Sequence, residues 1–105
     1  MPIPPYFDQT ISFKDAGVMT ANYRAQNPGA VIAGFFFAQA ITSLLNQPGC
    51  VGIRYYYAIA NDGSEQLVLA GVDANGNDLV GQNNVCIDMS CPCPPFCSTN
   101  NILNS

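Results

Sequence analysis

Two apolar runs rich in β-branched and aromatic residues, at positions 50–60 and 66–73, stand either side of the polar cluster Asn61, Asp62, Gly63, Ser64 and Glu65. Extended runs around such a break predict a β-hairpin. A two-stranded hairpin is marginal in water, so the rest of the chain has to cover it. Within the first run Val51, Ile53, Tyr55, Tyr57 and Ile59 share one face, and Gly52, Arg54, Tyr56 and Ala58 share the other. The odd-numbered, more apolar set is the expected core face.

Upstream the period changes twice. Positions 11–26 read as a helix: Ser12 is its N-cap, Asp15 meets the free amides three residues on, and Ile11 can staple onto Ala16. Ala16, Met19, Thr20 and Tyr23 form its stripe, and Asn27, Pro28 and Gly29 end it. Gly17 weakens the middle by up to about 1 kcal/mol relative to alanine, which calls for close packing there or heavy reliance on tertiary contacts. Positions 31–37 are apolar without alternation and predict a central strand buried on both faces. At 38–47 the spacing is helical: Ala40, Ile41, Leu44 and Leu45 make one stripe of a short second helix, closed by Pro48 and Gly49.

Downstream, Asn75 and Gly76 mark a second tight turn, with Leu79 and Val80 a short edge segment. Regularity then fades through an apolar piece at 85–89 into a cysteine and proline tail and a polar end at 98–105. The order helix, strand, helix, strand, strand predicts a small two-layer α+β domain, with two helices on one face of a mainly antiparallel sheet of three or four strands. The expected divisions are an arm at 1–10, the α+β domain at 11–81 and the tail at 82–105. Three prolines in the first five positions give the arm an extended path, and Tyr6 and Phe7 are its anchors.

Composition narrows the partners. The 105 residues allow one core, and only 10 % are charged, where about 25 % is usual. Polar uncharged and apolar atoms must therefore cover much of the surface, which favours association with copies of the chain. The net charge is −4, and Lys14, Arg24 and Arg54 are too few and too scattered to neutralise phosphates. Nucleic-acid partners are accordingly not expected, and anionic membrane surfaces are disfavoured. The chain has no histidine, which removes the commonest general base and metal ligand. No segment reads as a signal peptide or a membrane span, so a cytoplasmic location without membrane insertion is the default, with signal-independent export left open.

The tail carries the one dense cluster of chemistry: Cys86, Cys91, Cys93 and Cys97 in the string CIDMSCPCPPFC. Four thiolates can hold a tetrahedral zinc, although two C-x₂-C pairs held apart are the usual spacing. Disulfides are a second reading, with an odd thiol left over from five cysteines. The simplest reading is a proline-shaped strap that packs Phe96 and small thiols onto the sheet. The oxygens at positions 73–78 resemble a calcium loop only loosely, since the glycine falls fourth and no Glu stands twelfth; a polar turn accounts for them. Among the consecutive tyrosines 55–57, at most Tyr56 with Arg54 faces outward to bind.

Three strings occur together: QPGCVGIRYYYA at 47–58, AGVDANGNDL at 70–79 and CPPFC at 93–97. In these the chain resembles a group of small uncharacterised bacterial proteins of about this length, with a hairpin of this kind and a terminal C-P-P-x-C. The resemblance implies a self-contained unit and little more. Cys86 and Cys91 depart from that pattern, and the resemblance does not say whether the tail thiols share one role.

The expectation is thus a non-enzymatic structural or interaction protein without a cofactor, forming a homo-oligomer through Tyr6, Phe7, Arg54, Tyr56 and Phe96. The alternative is a zinc module built on Cys86, Cys91, Cys93 and Cys97.

Overall fold

A computed structural model of the chain describes residues 2–88 and 90–105. Met1 of the arm and Met89 of the apolar piece at 85–89 lie outside the described residues. The elements are α1 (Phe13–Gln26), β1 (Ala33–Phe35), α2 (Ala38–Leu45), β2 (Gly52–Ile59), β3 (Glu65–Val72), β4 (Cys86–Ile87) and β5 (Cys91–Cys93). They make an α+β fold with two antiparallel sheets, β1-β5 and β2-β3-β4. Two compact units result. One is built on Phe36–Ser90 with the proline-rich start of the chain, the other on Tyr6–Phe35 with Cys91–Ser105.

The first unit is organised by the predicted hairpin. Tyr55 pairs with Leu69, Tyr56 with Val68 and Tyr57 with Leu67. Its loop closes through Gly63, at φ +88°, and through Asp62, whose Oδ1 accepts from the Ser64 amide at 2.9 Å. A second turn places Asp78 beside Val72, and β4 then pairs Cys86 with Ala70. α2 packs on β2 and β3 and contributes Leu44, fully buried, to a core completed by Leu69, Ala70 and Val72.

The odd-numbered face of β2 is core at one end only. Near Gly71 it is covered, because the side chain of Gln47 approaches the place a Gly71 Cβ would occupy to 2.8 Å. Toward the loop, Tyr57 is 84 % and Ile59 76 % exposed, and Tyr55 is also exposed. Length explains the shortfall: eight helical residues span about 12 Å, whereas eight strand residues span about 26 Å. The expectation that the whole odd face is buried is corrected accordingly.

In the second unit Ser12 caps α1 as expected, its Oγ accepting from the Asp15 amide at 3.0 Å. The expected stripe shifts. Met19 and Tyr23 are exposed, while Ala16, Gly17, Thr20 and Arg24 turn inward. The cause is that a stretch of backbone covers this helix. Ile102 sits where only Gly17 leaves room, and Arg24 donates to the carbonyls of Leu103 at 2.7 Å and Ser105 at 2.6 Å.

Residues 31–37 are not a buried central strand. Only Ala33–Phe35 is extended, all three residues are exposed, and the partner is β5 rather than the hairpin. An apolar run reports a wish for burial, and here Cys91, Pro92 and Cys93 pair with one edge without covering a face.

Candidate functional site

The side chains with the most developed geometry lie on the even-numbered face of the first unit. Asp73 builds the turn: its Oδ1 accepts from the amides of Asn75 at 2.9 Å and Asn77 at 3.0 Å, and Gly76 supplies φ +83°. That turn returns Asp78 to the sheet, where it shares a face with Arg54 and Tyr56. Arg54 Nη1 donates to Asp78 Oδ1 at 2.6 Å and to the Gly76 carbonyl at 3.2 Å, and the Tyr56 hydroxyl donates to Asp78 Oδ2.

Each group is shifted by the others. The Tyr56 phenol, and after it the Arg54 guanidinium, hold the Asp78 carboxyl below its ordinary value despite partial desolvation. The hydrogen bond to Asp78 raises Tyr56 and likewise raises Arg54. A carboxylate held by a donor on each oxygen and pushed down is a clamp, the opposite of a proton donor poised near neutrality. Arg54 and Tyr56, expected to be free for binding, are thus engaged with Asp78, although Tyr56 keeps 45 % of its surface exposed. In the sequence Asp78 stands out only as an oxygen of the 73–78 turn. Its role is signalled by Arg54, one of only three cations in the sequence, and by matching parity: positions 54, 72 and 78 all fall on one face once the turn is closed.

A second polar group was missed altogether. Gln47 is buried, with Oε1 accepting from the Val85 amide at 2.7 Å and Asn84 Nδ2 at 3.2 Å, and Nε2 donating to the Leu44 carbonyl at 3.2 Å. It fastens the chain entering β4 to the end of α2. Its signal was the closing Pro48 and Gly49, which turn the last residue of the helical run inward.

The remaining expected residues are dispersed between the units. Tyr6, Phe7 and Phe96 belong to the second unit and are exposed, Tyr6 to 91 %. Cys86 lies in the first unit, and Cys91, Cys93 and Cys97 in the second. Cys93 and Cys97 are joined in a disulfide with Cα atoms 4.7 Å apart, while Cys50, Cys86 and Cys91 are free thiols. In this oxidised form two of the four tail sulfurs are bonded to each other. Among the described residues no group of three or more Cys, Asp or Glu side chains is arranged to hold a metal ion, and no helix is long and apolar enough to cross a membrane. Comparison with protein-family models, with curated proteins and with solved structures finds no match for the chain.

Proposed function

We propose that the chain is a non-enzymatic structural or interaction protein that assembles with copies of itself through its weakly charged apolar surface. The observation that carries this reading is the accessible surface of 8121 Å² for 11.2 kDa. A compact monomer of that mass exposes about 5,700 Å², and two separate bodies of half the mass would together expose about 6,900 Å². The area exceeds even the second figure.

Much of this surface is apolar. Phe13, Val18 and Met19 on α1, and Tyr55, Tyr57 and Ile59 on β2, are all exposed. The buried apolar residues among the described ones are few: Leu44, Leu69, Ala70, Val72 and Cys93. At roughly 25 cal/mol per Å², covering such surface with a second copy supplies the burial that each copy lacks. The arm and the tail, with Tyr6, Phe7 and Phe96 outward, add to the same surface.

Size-exclusion chromatography with light scattering, across a hundredfold range of concentration, tests the reading. A mass that is a multiple of 11.2 kDa and persists in chelator supports it. A strict monomer at the highest concentration refutes it.

A further inference from the structure

The sheet of the first unit ends on two unlike edges. On one side the last strand is β4, only two residues long, which is a common way of blunting an edge. On the other side is β2, eight residues long and without proline or lysine. Its one cation, Arg54, is neutralised by Asp78.

The direction of the β2 backbone groups follows from its pairing. The Ala60 amide donates to the Ser64 carbonyl at 2.9 Å, and antiparallel hydrogen bonding alternates from there. Even-numbered residues of β2 therefore bond to β3. The N–H and C=O groups of Ile53, Tyr55, Tyr57 and Ile59 point away from the sheet, and none has a backbone partner on that side among the described residues.

We propose that this edge is the site of self-association, with β2 pairing antiparallel to β2 of a second copy about a two-fold axis at Tyr56. This deepens the self-assembly reading and rests on it. The register is determined by the strand itself. Centred on Tyr56, the pairing sets Tyr55 against the partner's Tyr57 and Ile53 against the partner's Ile59, so that every outward N–H meets an outward C=O. Centring on Tyr55 or on Tyr57 leaves one end of the row unmatched.

Side chains agree with that register. Arg54 faces the partner's Ala58 rather than another arginine, and Tyr56 faces its own copy, so no like charges oppose one another. The sheet then runs without a break from β4, β3 and β2 of one chain into the β2, β3 and β4 of the other, an isologous contact of the kind that closes a dimer.

Area sets the strength. From the exposure of Tyr55, Tyr56, Tyr57 and Ile59, these four residues offer about 500 Å² per copy, or about 1,000 Å² for the pair. That is the low end for a specific interface, so the dimer is expected to dissociate on dilution.

Two sets of variants test the proposal. Tyr57→Pro removes an outward amide while leaving the bonds to β3 in place, and Tyr57→Lys alters a side chain that is already mostly in water, which guards against loss of folding in the first variant. Both should halve the assembly mass, with circular dichroism unchanged. Independently, Tyr56→Cys should form a cross-linked dimer on mild oxidation at least tenfold faster than Tyr55→Cys, because only position 56 faces itself. If the wild-type chain assembles but both Tyr57 variants keep its mass and the Tyr56→Cys cross-link is absent, the edge is the wrong surface and the self-assembly reading survives. A wild-type chain that stays monomeric removes both. A monomer that instead takes up an extended peptide along 53–59 overturns the choice of a second copy as occupant.

Discussion

Arg54 Nη1 lies 2.6 Å from Asp78 Oδ1, a contact that ties β2 to the residue leaving the Asp73 turn. With the Tyr56 hydroxyl on the other oxygen, Asp78 holds two neighbouring side chains of β2 to a turn more than twenty positions later. Because the carboxyl is held below its ordinary value, its contribution to stability is fully present above the unfolded value of about 3.9 and is lost as pH falls through the lower folded value. Asp78→Asn should therefore lower the urea midpoint at pH 7, and the gap from wild type should close below about pH 4. The same variant should bring the Tyr56 phenol back toward its ordinary titration. In wild type its raised value stabilises the fold below about pH 10, a contribution lost as pH rises through the folded value. Absorbance titration of the phenols reads this second effect.

Gln47 makes a stability prediction of a different origin. Gln47→Leu keeps the bulk of the side chain but leaves the Val85 amide and Asn84 without their acceptor, while the Leu44 carbonyl retains backbone donors. Orphaning a partly buried amide costs about 1–3 kcal/mol. The urea midpoint should fall with an unchanged slope, and the Val85 amide should lose protection from hydrogen exchange. Equal protection in the variant would mean that β4 is held by its bonds to β3 alone.

Local chemistry was legible where it is local. Ser12, Asp15 and Asn27 bound α1 within two residues of the expected ends, and the hairpin and the turn at Asn75 and Gly76 follow from residues within a few positions of each other. What could not be read was which surface meets which. Val31, Phe35 and Phe37 look like core and are exposed, because the strand that pairs with β1 comes from near position 92 and is itself narrow. Met19 and Tyr23 look like the buried stripe of α1, yet the neighbouring small residues are preferred by a backbone segment that begins eighty positions later. The Arg54, Tyr56 and Asp78 cluster is half legible: strand parity turns Arg54 and Tyr56 outward together, but nothing near them in sequence points to Asp78, which occupies them.

The Cys93–Cys97 disulfide closes a very short loop, so the chain-entropy contribution is at the lower end, about 2 kcal/mol. Reductant should therefore destabilise wild type modestly, and Cys93→Ser should reproduce that loss while abolishing the response to reductant. The same pair of samples examines the zinc alternative. Reduction frees Cys93 and Cys97 to join Cys86 and Cys91 as thiolates, and a zinc-sized gain in native mass that restores stability would favour the metal module. Reduced wild type that ignores zinc and keeps its assembly mass would favour self-association.

Gly17 sets two rules of helix stability against each other. In an isolated helix Gly17→Ala gains up to about 1 kcal/mol, since alanine has less backbone freedom to lose. In this chain the added methyl would stand 2.8 Å from both Cγ1 and the carbonyl oxygen of Ile102. The side chain can rotate away, but the carbonyl is backbone, held close to α1 by the bonds from Arg24 to Leu103 and Ser105. Overpacking of this kind costs about 1–3 kcal/mol, which exceeds the helical gain. Gly17→Ala should thus destabilise the fold by about 1–2 kcal/mol in urea melts. Releasing the clamp should reverse the sign: in an Arg24→Ala background the segment at 102–105 can lift away, and Gly17→Ala should become neutral or stabilising. A cycle in which the two substitutions simply add would show that α1 is not limited by what lies against Gly17.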